Sequence, residues 1–129
     1  MVRVPGDDDE KPLFWIGSSL KDLKKLPAEV QDEVGSALSV AQFDGTHPAA
    51  KPWKGSGPGV VEIVDNFDGN TYRAVYTVRF KEAVYVLHAF QKKSPKGIET
   101  AQVDVDLVRK RLAAATRHYE DQRKKDLQR

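Results

Sequence analysis

At 129 residues, 40% of them hydrophobic and 31% charged, the chain is sized for one globular domain that can bury most of the surface folding must hide. It contains no cysteine, which excludes a disulfide framework, a zinc–thiolate site and a cysteine nucleophile. No apolar run approaches the roughly 20 residues needed to span a bilayer, and the opening MVRVPGDDDEK lacks the basic-then-apolar layout of a secretory signal, so the expectation is a cytoplasmic protein with no membrane partner. The formal net charge of +2 hides an asymmetry. Residues 1–69 carry 7 Lys/Arg against 12 Asp/Glu, and residues 70–129 carry 14 against 7, balances of −5 and +7. A basic half is the composition of a chain that meets nucleic acid, and equally of one with a solvated basic helix.

Residues 1–12 read as a flexible acidic tail, because Asp7-Asp8-Asp9-Glu10 is a like-charge run beside Pro5 and Gly6. A domain is expected over 13–119, followed by a polar extension over 120–129. Leu13-Phe14-Trp15-Ile16, stopped by Gly17, predicts a short buried strand. Ser18 or Ser19 can cap a helix with Leu20, Leu23 and Leu26 on one face. Pro27 ends that helix and opens the next, where Val30, Val34, Leu38 and Ala41 recur at helical spacing. Residues 44–59, rich in Gly and Pro, predict a loop of the length that is often functional. Three strands follow, Val60–Phe67, Thr71–Phe80 and Ala83–Gln91, the first two joined by a hairpin turn at Asp68-Gly69-Asn70. A loop through Ser94-Pro95-Lys96-Gly97 leads to a last helix from about Thr100. Its stripe is Ala101, Val105, Val108, Leu112, Ala115 and Tyr119; beyond Tyr119 the chain is polar and expected to fray. The order β-α-α-β-β-β-α is that of an α+β domain, an N-terminal strand and helical hairpin packed on an antiparallel sheet.

Period-two alternation divides the strands into faces. It sets Val84, Val86, His88, Phe90 and Lys92 against Tyr85, Leu87, Ala89 and Gln91, and Arg73 and Val75 against Tyr72, Ala74 and Tyr76. Arg73, His88 and Lys92 are expected together on the face the helices leave bare. An RNA phosphodiester attacked by its own 2′-hydroxyl needs a base, positive charge on the developing phosphorane, and an acid for the leaving oxygen. Arg73, Lys54, Lys92 and Lys93 can supply the charge, and His88 or Glu62 can move the protons. No metal is needed, in keeping with three histidines and no His/Asp/Glu cluster at ligand spacing. Each residue also has a structural reading. His88 can be a hydrogen-bonded core histidine, Lys92-Lys93 a solvated strand end, Glu62 the partner of a neighbouring base, and Arg109-Lys110-Arg111 a solvated helical face. Trp15 and Trp53 read as packing residues, and His118 as a surface residue.

Three pieces of Val60 to Arg111 narrow this choice: Val61-Glu62-Ile63, Tyr72-Arg73-Ala74-Val75-Tyr76, and Val84 through Ser94 (VYVLHAFQKKS). With Lys51-Pro52-Trp53-Lys54-Gly55 upstream and Val108-Arg109-Lys110-Arg111-Leu112 in the closing helix, they resemble the HigB-type toxins of the RelE/ParE superfamily. The resemblance implies a type II toxin that cleaves mRNA without a metal or other cofactor, generally on the translating ribosome. It also implies an antitoxin partner, typically a helix-turn-helix protein. By position, Arg73 corresponds to the phosphate-contacting arginine and Lys92-Lys93 to the basic strand end. The expected catalytic set is Arg73, Lys92, His88 and Glu62, with Lys51, Lys54, Lys93 and Lys96 binding RNA. Two departures stand out. Val64 follows Glu62-Ile63 where relatives often carry arginine, and Tyr119 lies on the core stripe, leaving no match for a C-terminal catalytic tyrosine. A ParE-like gyrase poison and a non-catalytic RNA- or protein-binding module are the alternatives.

Overall fold

The structure, a computed structural model, describes residues 10–92 and 101–128. Strand β1 (Leu13–Trp15) leads into a short helix α1 (Ser19–Lys24) and a longer α2 (Ala28–Gln42). Strands β2 (Ala50–Pro52), β3 (Val60–Phe67), β4 (Asn70–Thr77) and β5 (Val84–Gln91) precede helix α3 (Gln102–Leu127). The five strands form one sheet in the order β1-β5-β4-β3-β2. The α+β order expected from the sequence is present, with two additions. β1 joins the sheet parallel to β5, so the sheet is mixed, and the Gly/Pro-rich loop contributes β2 along β3.

The β3–β4 register follows from its turn. Asp68 and Gly69 both have positive φ, 51° and 81°, the requirement of a two-residue type I′ hairpin. That turn sets Phe67 opposite Asn70 and carries the pairing back to Glu62 opposite Val75. β4 and β5 pair less regularly. Val75 faces His88 but Tyr76 faces Val86, so Leu87 is an extra residue, a β-bulge.

Helices cover both faces of the sheet. Val30, Val34, Ala37, Leu38 and Ala41 of α2, joined by Leu23 of α1, pack on Ile63, Ala74, Tyr76, Val84 and Val86. On the other face Val108, Leu112 and Ala115 of α3 pack on Val60, Val75, Tyr85 and Leu87, with Trp53 and Phe80 at the edges. A sheet with an apolar set on each face must be covered twice, and the two helical stripes do this. α3 continues past its stripe, so the polar segment expected to fray is helical through Leu127.

The bulge corrects the predicted face assignment of β5. Val84, Val86 and Ala89 belong to the α2 side, while Tyr85 and Leu87 face α3. His88, opposite Val75, returns to the α3 side directly after Leu87. Strict alternation would have placed His88 with Val84 and Val86; one inserted residue turns it over. The bare face expected for Arg73 and His88 is therefore the face that α3 crosses.

Candidate functional site

The registers assemble one row across four strands: Lys51 on β2, Glu62 on β3, Val75 on β4 and His88 on β5. The adjacent row holds Val64, Arg73 and Phe90. Lys92 follows two residues after Phe90, and its backbone N–H donates to the Thr71 carbonyl at 2.8 Å, extending the β4–β5 ladder. Residues 41 positions apart in sequence thus share one patch, because directly opposed residues on neighbouring strands lie on the same face.

Glu62 is at the centre. It is 6% exposed, with Arg73 Nη1 3.7 Å from one carboxylate oxygen and Lys51 Nζ 3.9 Å from the other. Both are ion pairs without hydrogen-bond contact. Burial raises the Glu62 carboxyl above its ordinary 4.5, outweighing the opposing attraction of Arg73, Lys51 and Lys92. A buried charge pair is weak evidence for stability, since desolvation offsets the attraction. A buried carboxylate pushed toward neutral pH and ringed by three cations is a common arrangement for a group that exchanges a proton.

His88 is the second proton-carrying group, 7% exposed. Its ring stacks on Phe90, with centroids 4.3 Å apart and an interplanar angle of 17°. Its Nε2 lies 2.8 Å from Asp104 Oδ1 in the first turn of α3. A carboxylate on one ring nitrogen holds the proton there and fixes the ring's orientation. Nδ1 is then the acceptor nitrogen, and it is buried without a hydrogen-bond partner among the described residues. Arg73 and Glu62 are almost as enclosed, with side chains 10% and 8% exposed, whereas Lys51 is 57% exposed and marks the solvent side of the row.

Of the expected residues, Lys51, Glu62, Arg73, His88 and Lys92 are brought together. Lys54 is exposed in the β2–β3 loop, next to Gly55, whose carbonyl accepts from Arg109 Nη2 at 3.1 Å. Lys93 and Lys96 lie outside the described residues. Asp104 was missed, although its signal was present: with Ala101, Val105 and Val108 it falls on the apolar stripe of α3, where an acidic residue needs a partner. Arg111 falls on the same stripe. It is not part of a solvated face, since its guanidinium donates to the Leu87 carbonyl and to Ser18 Oγ, both at 2.9 Å. His118 is likewise half-buried and bonded to the Tyr85 hydroxyl at 2.7 Å. Among the described residues no group of three or more His, Asp or Glu side chains could hold a metal ion, and no helix is long and apolar enough to cross a membrane.

Over residues 21–113 the chain matches the family described as Phage derived protein Gp49-like (DUF891). In shape it is similar to a free-state structure of the E. coli toxin RelE carrying two arginine-to-alanine changes. The sequences are 22% identical, 67% of this chain and 88% of that one are covered, and the TM-score is 0.51. The isolated E. coli RelE toxin in a P21 crystal form is also similar, at 22% identity, 78% and 97% coverage and a TM-score of 0.49. No curated protein matches the sequence. At this identity the likeness establishes a RelE-like fold.

Proposed function

The chain belongs to the Gp49-like family of phage-derived proteins, and on that premise we propose that it is the toxin of a type II toxin–antitoxin pair, a HigB-type endoribonuclease that cleaves mRNA without a metal. The observation that carries this reading is the single patch on a RelE-like sheet where a buried carboxylate, a carboxylate-bound imidazole and three cations meet. Those are the parts the internal attack of a 2′-hydroxyl requires.

In this reading Glu62 accepts the 2′-hydroxyl proton, a task suited to a carboxylate whose pKa is raised toward the working pH. Arg73 presents its fork of donors to the phosphate, and Lys51 and Lys92 add point charges as the phosphorane forms. His88, steadied by Asp104 on Nε2, carries a second proton on Nδ1 when it acts and gives that proton to the departing 5′-oxygen, while Glu62 keeps the one taken from the 2′-hydroxyl. The deep placement of Glu62, Arg73 and His88 favours an RNA strand presented in a fixed path over one diffusing freely, which supports a ribosome-bound mRNA as substrate. The same cationic patch is an electrostatic target for an antitoxin, with a helix-turn-helix protein as the expected partner, and the cytoplasm is the compartment in which all these partners meet.

The test is cleavage of a defined mRNA by the purified protein, with and without translating ribosomes, and with EDTA in the ribosome-free arm. Codon-spaced cuts that appear only with ribosomes are the expected result. Cuts on free RNA that survive EDTA would retain the chemistry but remove the ribosome. No cleavage in either arm would reject the enzyme reading and lead to a gyrase assay.

A further inference from the structure

His88 reaches the candidate site only because β5 is bulged. With Leu87 unpaired on β4, Leu87 and His88 both turn toward α3; without that insertion the strand would return His88 to the α2 side. A bulge residue loses its place in the ladder and its carbonyl needs another donor. Here that donor is Arg111 Nη1, 2.9 Å from the Leu87 oxygen. The other arm of the guanidinium, Nη2, donates to Ser18 Oγ at 2.9 Å, and Ser18 in turn donates to Asp22 at 2.7 Å. Gly17 makes room for the group. It has a φ of +57°, and a Cβ there would lie 3.0 Å from Arg111 Nε. A half-buried arginine on an apolar stripe, a serine at the start of α1 and a glycine in the left-handed region thus converge on one carbonyl of the bulge.

Resting on the ribonuclease reading above, we propose that Arg111 is a positioning residue: by binding the Leu87 carbonyl it holds the β5 bulge and so keeps His88 on the face shared with Glu62 and Arg73. Its guanidinium bonds to the Leu87 carbonyl and to Ser18, not to the imidazole. Lysine is a poor substitute, because one ammonium on a flexible stem does not reproduce a planar fork spanning two acceptors.

Two readouts on Arg111→Ala and Arg111→Lys test this. In the full-length protein, NMR of the histidine rings reports the Nε2 proton of His88 held by Asp104 and the stacking of the ring on Phe90. Both signals are expected to be lost in either variant while the methyl spectrum is retained. In the cleavage assay, kcat is expected to fall about 10- to 100-fold with KM little changed, the mark of lost positioning. The double variant Arg111→Ala/His88→Ala is expected to be no slower than His88→Ala alone, because a residue acting through His88 has nothing left to position. Retention of both His88 signals in the variants, or losses that multiply in the double variant, would overturn the assignment. A wild-type protein that does not cleave would reject the ribonuclease reading alone, and the NMR readout would still decide whether Arg111 places His88. Should Arg111→Ala fail to fold, Arg111→Lys, which keeps the charge and stem, carries the same readouts.

Discussion

The α3 face of the sheet has a histidine at each end, and the two are held in opposite ways. His88 binds a carboxylate, stacks on Phe90 and shares its patch with Glu62 and Arg73. His118, on the far part of α3, binds the hydroxyl of Tyr85 and is flanked by the Phe14 ring at 4.6 Å. Around it Phe14 stacks on Tyr85 and Phe80 stacks on Tyr119. Tyr85 is fully buried, and burial with the neighbouring Tyr119 pushes its phenol up to about 12. It therefore remains a neutral phenol at physiological pH. One end gathers charge where stability gains little from it; the other gathers aromatic surface with its polar tips satisfied. The lesson is that burial alone does not distinguish a core histidine from a working one. The charge of its partner and of its neighbours does.

The sharpest way to break this comparison is Arg73→Ala. Cleavage should fall about 10³-fold, the scale of losing a preorganised donor to a developing anion, with the circular dichroism spectrum unchanged; near-normal cleavage would return Arg73 to a structural role. Glu62→Gln should lower cleavage about 100-fold, the scale of a lost general base. It should also abolish the acid limb of the pH profile of kcat/KM, which in the wild type lies above 4.5 because burial raises this carboxyl. The same shift has a consequence for stability. A carboxyl whose folded pKa is raised binds its proton more tightly when folded, so its stabilising contribution is full below 4.5 and is lost as pH rises through the folded value. Denaturant titrations of Glu62→Gln should therefore show a flatter dependence on pH from 4.5 upward than the wild type. The smallest effect is expected at the other end, where Tyr85→Phe removes one neutral hydrogen bond. That should cost about 1 kcal/mol of stability and leave cleavage untouched; a slowed reaction would join the two ends.

Much of this fold was legible because local rules agreed with it. Val30, Val34, Leu38 and Ala41 of α2 and Val108, Leu112 and Ala115 of α3 are buried as their spacing implies, whereas Ala101 at the head of the α3 stripe is exposed. The hairpin lies at Asp68-Gly69 as expected, but its turn is two residues long and Asn70 begins β4, so the register is one the three-residue turn expected from the sequence does not give. The parallel docking of β1 was not legible, since a three-residue strand has no signal for its partner. Nor was the bulge at Leu87, which depends on an arginine 24 residues away, and without it His88 falls on the wrong face. Asp104 and Arg111 could have been singled out as charges on an apolar stripe. Their partners could not, because each contact is made across the sheet.

The most direct measurement sets His88→Gln beside His118→Gln, recording mRNA cleavage on translating ribosomes and melting temperature for both. If the two ends of the face differ in kind, His88→Gln loses cleavage at nearly unchanged melting temperature, while His118→Gln melts earlier and cleaves normally wherever it is folded. Normal cleavage by His88→Gln, or equal losses of cleavage in both variants, would contradict the assignment of the chemistry to the Glu62–Arg73–His88 end.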